Sequence, residues 1–198
     1  MKQVVVIGHE STGKSTLCEM LAVEFNTLWC PEYAREYLLA NGTHYSFDDL
    51  LTIAKGQLAL EEKYLQKVKN AQAASLCGDL PIKGLTGHHK VKNAPPAFLF
   101  VDTDQYVMKV WCEYVFGDCH NWILRQIAKS SSDLYLLCKP DLPWEKDDLR
   151  EYPDEKPRQE LYHIYRDLLI NQHINWAEIS GGYKERFDKA REAVNMIC

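Results

Sequence analysis

A three-layer α/β sandwich, with a five-stranded parallel sheet covered by helices, is the fold this sequence predicts. Two observations carry it. Short apolar runs alternate with stretches of helical periodicity along the chain, the pattern of repeated βα units. The first run, QVVVIG (3–8), also leads directly into GHESTGKST (8–16), a glycine-rich loop that needs a strand before it and a helix after it.

The elements follow in order. QVVVIG is a buried strand, and beyond the loop Leu17, Leu21 and Phe25 share a helical face. TLWCPEY holds a second strand near 27–30, ended by Pro31. AREYLLA is a short helix stopped at Asn41-Gly42, a C-cap signal. Ser46 suits the N-cap of a long amphipathic helix with Leu50, Leu51, Ala54, Leu58 and Leu65 on one side. Residues 76–96 lack periodicity and end in two prolines, so they read as a loop insertion. PAFLFVDTD is a third strand ending on acids at Asp102 and Asp104. Val107, Val110, Trp111 and Tyr114 mark the next helical face, and a further helix covers 120–129. DLYLLC (133–138) is the fourth strand. The stretch from Lys139 to Arg158, rich in proline and charge, reads as an ordered excursion. Leu161, Ile164, Tyr165 and Leu168 resume helical periodicity, INWAEIS is the fifth strand, and Phe187, Ala190, Val194 and Ile197 mark a closing helix. Without a repeat or a low-complexity segment, residues 1–198 make one domain.

Composition excludes several classes. A hydrophobic share of 46% and a charged share of 26% suit a soluble globular chain. Net charge is −5 with scattered basic residues, which leaves no electrostatic footprint for a nucleic-acid partner. VVVIG is too short to cross a membrane, so no membrane insertion is expected. The seven cysteines form no C-x-x-C pair and read as reduced thiols, with the cytoplasm as the expected location.

Gly8 to Ser15 matches G-x-x-x-x-G-K-[ST] in full. Such a loop wraps phosphates with backbone N–H groups at a helix N-terminus. Gly8, Glu10, Ser11, Thr12, Gly13, Lys14, Ser15 and Thr16 are therefore the expected ATP-binding set. Lys14 bridges β- and γ-phosphates and the Ser15 hydroxyl ligates Mg²⁺. Asp102, at the end of FLFVD, stands where a Walker-B-type carboxylate belongs, close to the Mg²⁺; Asp104 is either an alternative holder, a substrate-hydroxyl ligand, or an N-cap for the next helix. Glu32 in PEYAREY lies at the end of the second strand, on the same rim, where a carboxylate can accept a proton from an attacking hydroxyl or bind a substrate hydroxyl; the alternative is a solvated helix start. Arg35 can pair with substrate or phosphate. The excursion at 139–158 reads as a lid whose Arg150 and Arg158 neutralise charge on a transferred phosphoryl group, or as a solvated surface loop.

Other phosphate-loop classes fit less well. No N-K-x-D or D-x-x-G is present, which sets aside GTPases. AAA+ motors need a helical lid domain for which the chain has no room. ISGGY (179–183) stands too late for a transporter signature and reads as a turn near the adenine. GLTGHHK (84–90) lacks both H-x-G-H and metal-ligand spacing.

GHESTGKSTL, PEYAREYL, FVDTDQYVMKVW, DLYLLCKPDLPWEKDDLRE and GGYKERFDKA together resemble the ribosylnicotinamide kinase domain of NadR-like proteins, nearly end to end and in the family's order. The resemblance implies strand order 2-3-1-4-5 and transfer of phosphate from ATP to the 5′-hydroxyl of nicotinamide riboside, giving nicotinamide mononucleotide. Two departures stand out. The P-loop begins at residue 8, so no adenylyltransferase or DNA-binding domain is expected ahead of it. Pro31 occupies a place where the bifunctional proteins carry an aromatic residue that helps hold the pyridine ring. Tyr33, Tyr106 and Trp111 are the candidates to line the base pocket. The rivals are a kinase for another nucleoside or vitamin-like molecule, and a non-catalytic ATP-sensing module.

Overall fold

The computed structural model describes residues 1–76, 98–130, 132–147, 149, 152 and 154–197. The chain runs β1 (Lys2–Ile7), α1 (Lys14–Glu24), β2 (Leu28–Cys30), α2 (Tyr33–Asn41), α3 (Phe47–Leu76), β3 (Phe98–Asp102), α4 (Gln105–Phe116), α5 (Asn121–Ile127), β4 (Leu134–Cys138), α6 (Glu155–Asn171), β5 (Trp176–Ile179) and α7 (Tyr183–Met196). The five strands form one parallel sheet in the order β2-β3-β1-β4-β5. This is the P-loop sandwich expected from the sequence.

The central strands are continuous apolar runs because helices cover both faces of the sheet. Alternate side chains split between two cores, as the two-residue period of a strand demands. Val5, Ile7, Leu99, Val101, Tyr135 and Leu137 pack with Val107 and Val110 of α4 and with Leu161, Tyr165 and Leu169 of α6. On the other face, Val4, Val6, Phe98, Phe100, Leu134 and Leu136 meet Leu17 and Leu21 of α1 and Ala190 and Val194 of α7. A third cluster, Ala34, Leu50, Ile53, Ala54, Met108, Cys112 and Ile123, ties α2, α3, α4 and α5 together beside the sheet. Each fully buried aliphatic side chain contributes about 1.5–3 kcal/mol, so these clusters fix where every strand end lies.

The local signals act as their chemistry requires. Ser46 and Asp49 cap α3 reciprocally, with Ser46 N donating to Asp49 Oδ2 (2.8 Å) and Asp49 N to Ser46 Oγ (3.3 Å). Gly42, at φ 92°, ends α2.

Some boundaries differ from the sequence reading. Helix α6 starts at Glu155, so the excursion after β4 ends before Arg158. Pro157 had suggested loop, but it sits in the first helical turn, where a missing N–H breaks no intrahelical bond. Helix α5 ends at Ile127, ahead of a turn at Ala128 and Lys129. The loop insertion at 76–96 lies outside the described residues apart from Leu76, the last residue of α3. Among the described residues no helix is long and apolar enough to cross a membrane.

Candidate active site

The carboxyl ends of the parallel strands open onto a cavity of about 520 Å³, lined by the P-loop, the ends of β2 and β3, and the segment after β4. The P-loop takes its shape from two glycines. Gly8 (φ 144°) passes so close to β4 that a Cβ would stand 2.7 Å from the Cys138 carbonyl oxygen. Gly13 (φ 76°) turns the chain into α1, which begins at Lys14. Within the loop, Thr12 Oγ1 and Lys14 Nζ donate to the carbonyl of His9, at 2.6 and 3.1 Å. The free N–H groups at the start of α1 then face the cavity, an anion site by geometry and dipole. The His9 imidazole is buried and held neutral, its pKa lowered to about 4 by desolvation.

Asp102 ends β3 with no exposed surface. Its Oδ2 accepts a 2.5 Å hydrogen bond from Ser15 Oγ, and its Oδ1 has no protein partner among the described residues. Burial pushes this carboxyl up, while Lys14 and the Ser15 hydroxyl draw it down. The next residue, Thr103, has φ 65°. A β-branched residue in that region costs about 1–3 kcal/mol, a strain typical of functional sites. Its N–H donates to the Val6 carbonyl at 3.1 Å, which holds the turn against β1.

Glu32 stands at the N-cap of α2 but makes no capping hydrogen bond; its half-buried side chain lines the cavity. Burial raises its pKa to about 7 against the pull of Lys14, with Asp102 and Glu10 adding to the rise and Arg35 opposing it. A carboxylate in this condition is poised to take up a proton near neutral pH. Arg35 also lines the cavity and donates to Asp147 Oδ2 (2.9 Å), an exposed bridge from α2 to the segment after β4. That segment is fastened to the P-loop as well. Glu145 N donates to Ser11 Oγ (3.0 Å), and Tyr152 N to Glu10 Oε1 (2.6 Å).

Several expected site residues lie elsewhere. Asp104 is the N-cap of α4, with Oδ1 accepting from Tyr106 N (2.9 Å) and Oδ2 from the Tyr135 hydroxyl (2.6 Å); burial pushes its pKa up to about 6. It does not line the cavity, and both its oxygens are already engaged. Tyr106 is core, edge-on to Tyr135 at 5.6 Å. Tyr33 turns away and covers Gly56 of α3, where an added Cβ would overlap its ring. Arg158, buried in the first turn of α6, donates to the Leu142 carbonyl (3.0 Å); it braces the base of the excursion and does not line the cavity. Arg150 lies outside the described residues. Trp111 does line the cavity, with its Nε1 donating to the Tyr45 hydroxyl at 2.7 Å.

The sequence reading missed the aromatic walls, which include Trp29, Tyr114, Tyr152 and Tyr165. They come from four separate elements, and no linear spacing relates them. It also missed Arg186. This guanidinium is buried and donates to the carbonyls of Gly181 (2.7 Å), Thr12 (3.0 Å) and Lys139 (2.8 Å) and to Asp141. Asp141 in turn accepts from Gly181 N (2.7 Å). One side chain thus ties the P-loop to the exits of β4 and β5. In Arg186→Met three carbonyls lose a donor and Asp141 its counter-charge. Removing one partner of a buried pair costs about 3–5 kcal/mol, and the partial exposure of Asp141 puts the loss at the lower end. Thermal unfolding is expected to show a drop of about 6–12 °C; an unchanged midpoint would sink this role.

The chain is similar to proteins of known description. It is 26% identical, over its whole length, to the trifunctional NAD biosynthesis/regulator protein NadR of Escherichia coli (strain K12) and of Salmonella typhimurium (strain LT2). It spans 43% of the length of each of those relatives. Its fold matches crystal structures of NadR protein in complex with NR (TM-score 0.72, 23% identity) and with NAD and AMP-PNP (TM-score 0.67, 22% identity), covering 99% of this chain and 49% of those. It also matches thymidylate kinase from Ehrlichia chaffeensis (TM-score 0.61, 12% identity), over all of this chain and 98% of that one. AAA+ motors were not expected, for want of a helical lid domain, yet the family model that matches carries the description AAA domain. With residues 3–186 matching it, the chain belongs to the AAA domain family.

Proposed function

We propose that this chain is an ATP-dependent kinase acting on the 5′-hydroxyl of nicotinamide riboside, with nicotinamide mononucleotide as product. The observation that carries the reading is Glu32. Its carboxylate is released from helix capping, lines the P-loop cavity with Lys14 and Asp102, and is raised to about 7. Transfer to a hydroxyl uses a proton acceptor placed there. The whole-length similarity to NadR, named for NAD biosynthesis, and the fold shared with NadR in complex with NR support a riboside as acceptor.

Each residue then has a task. The backbone of Gly8–Thr16 cradles the phosphate tail, and Lys14 neutralises charge on the β- and γ-phosphates. Ser15 and Asp102 fit a Mg²⁺ ion, because one buried oxygen of Asp102 has no protein partner and a hydroxyl lies beside the other. Among the described residues no group of three or more His, Cys, Asp and Glu could hold a metal alone, in keeping with an ion that takes its remaining ligands from phosphate and water. Bound there, Mg²⁺ supplies charge neutralisation to the phosphates. Glu32 accepts the hydroxyl proton. Trp111 and Trp29 offer flat apolar faces to the base. The segment after β4, fastened through Glu10, Ser11 and Arg35, keeps water from the transferred group.

A coupled ADP-release assay with MgATP and a panel of ribosides tests the reading. Turnover with nicotinamide riboside is expected. Preference for another nucleoside would replace the acceptor and keep the kinase, while tight ATP binding with no acceptor-dependent turnover would indicate a sensing module.

A further inference from the structure

Glu32 faces the cavity and makes no side-chain cap to α2, so the start of that helix draws on other partners. The first N–H groups of a helix have no partner within it, and the N-cap side chain normally supplies one. Here the acceptor comes from α3. Tyr33 N donates to Gln57 Oε1 at 2.8 Å. The other end of the same amide, Nε2, donates to the Thr103 carbonyl at 3.2 Å. Gln57 is 2% exposed and does not line the cavity. It therefore bonds the residue that follows Glu32 and the residue that follows Asp102.

Its neighbour completes the joint. Gly56 lies against the Tyr33 ring, and no larger residue fits without moving it. Gly56 and Gln57 so form a seat on α3 for the turn that leaves β2. The turn that leaves β3 is strained at Thr103, and its carbonyl is held by this amide. The amide offers a donor and an acceptor from one planar group; an ionised Glu lacks the donor and Met lacks both in useful strength.

We propose that Gln57, seated by Gly56, is a positioning residue that sets the spacing between the proton-accepting carboxylate of Glu32 and the metal-binding carboxylate of Asp102. The inference rests on the roles proposed above for those two residues. Gln57 anchors the first N–H of α2, next to Glu32, and holds the strained exit of β3, next to Asp102. A shift of about 1 Å between such groups is enough to cost about 100-fold in rate.

The test compares wild type with Gln57→Met, Gln57→Glu and Gly56→Ala. Its readouts are kcat, the KM values for ATP and acceptor, the melting midpoint, and ADP affinity by calorimetry with and without Mg²⁺. In Gln57→Met, kcat is expected to fall by about 10–100-fold, with metal-free ADP affinity held within about twofold and the gain in affinity on adding Mg²⁺ reduced. Gln57→Glu keeps the acceptor for Tyr33 N and is expected to fall between the two. Gly56→Ala is expected to lower kcat by displacing Tyr33; the overlap offsets its gain in helix propensity, so its melting midpoint is read beside its kcat. A folded Gln57→Met protein with wild-type kcat and wild-type response to Mg²⁺ overturns the proposal. So does a loss of metal-free ADP affinity parallel to kcat and melting midpoint, which marks a merely structural brace. If wild type phosphorylates no riboside, the kinase reading fails on that result alone. The Mg²⁺-dependent gain in ADP affinity then decides for Gln57: reduced in Gln57→Met it stands, unchanged it falls.

Discussion

Glu32→Gln is expected to lower kcat by about 10²–10⁴-fold, the usual contribution of a positioned general base, while KM for ATP changes little. The amide keeps the size of the side chain but accepts no proton. The groups facing Glu32 set its pH behaviour: Lys14 on α1, Asp102 at the end of β3, Arg35 on α2 and Glu10 in the P-loop. Its pKa is raised to about 7, so kcat/KM of the wild type is expected to rise with pH through a midpoint near 7 as the carboxylate ionises. The variant is expected to lose that limb. Stability moves the opposite way. Between the ordinary carboxylate value of 4.5 and about 7, the folded chain holds a proton that the unfolded chain releases. Stability is therefore fullest below 4.5, falls as pH rises through this window and is lowest above it. Glu32→Gln is expected to be more stable than wild type at pH 8 and no different at pH 4, by thermal melts. A variant with full activity, or with an unchanged pH profile, would remove Glu32 from the base role.

Lys14→Ala is expected to abolish measurable turnover, a loss of at least about 10²–10³-fold, the effect of deleting one preorganised charge or donor aimed at the transferred group. Calorimetry should show weakened ADP binding. The fold should survive, because among the described residues Lys14 Nζ bonds only its own loop, at the His9 carbonyl, and leaves the cores untouched. Any residual pH limb should shift upward, since Lys14 is the strongest influence holding down Glu32. Near-normal activity in a folded Lys14→Ala protein would overturn the P-loop assignment itself.

The two variants differ in a useful way. Lys14→Ala weakens nucleotide binding and chemistry together, whereas Glu32→Gln spares binding. A binding module without transfer would show the first effect and not the second. Arg186→Met provides a third contrast, since it loosens the P-loop from β4 and β5 without removing a group from the cavity.

What lay open in the sequence was whatever is written in local order. The run VVVI, the Gly8 and Gly13 spacing, the Ser46 cap and the Asn41-Gly42 stop each report on neighbours within a few residues, and the chain obeys them. Lys14, Ser15 and Asp102 were legible because strand ends and helix starts place them. Arg158 was misread because Pro157, a loop signal in isolation, is harmless in a first helical turn. Of the three places open to Asp104 the structure takes the N-cap, whereas Tyr106 and Tyr33 were misplaced because their orientation depends on partners far along the chain: Tyr135 for the first, Gly56 for the second. The sequence by itself determined the parallel sheet, the phosphate loop and the carboxylates at its rim. Tertiary structure alone decided that the turn beside Glu32 is held by an amide 24 residues ahead in α3, and that Arg186 locks the P-loop from α7, 174 residues beyond Thr12. The physical reason is that a buried polar group must find a partner, and nothing requires that partner to be near in sequence.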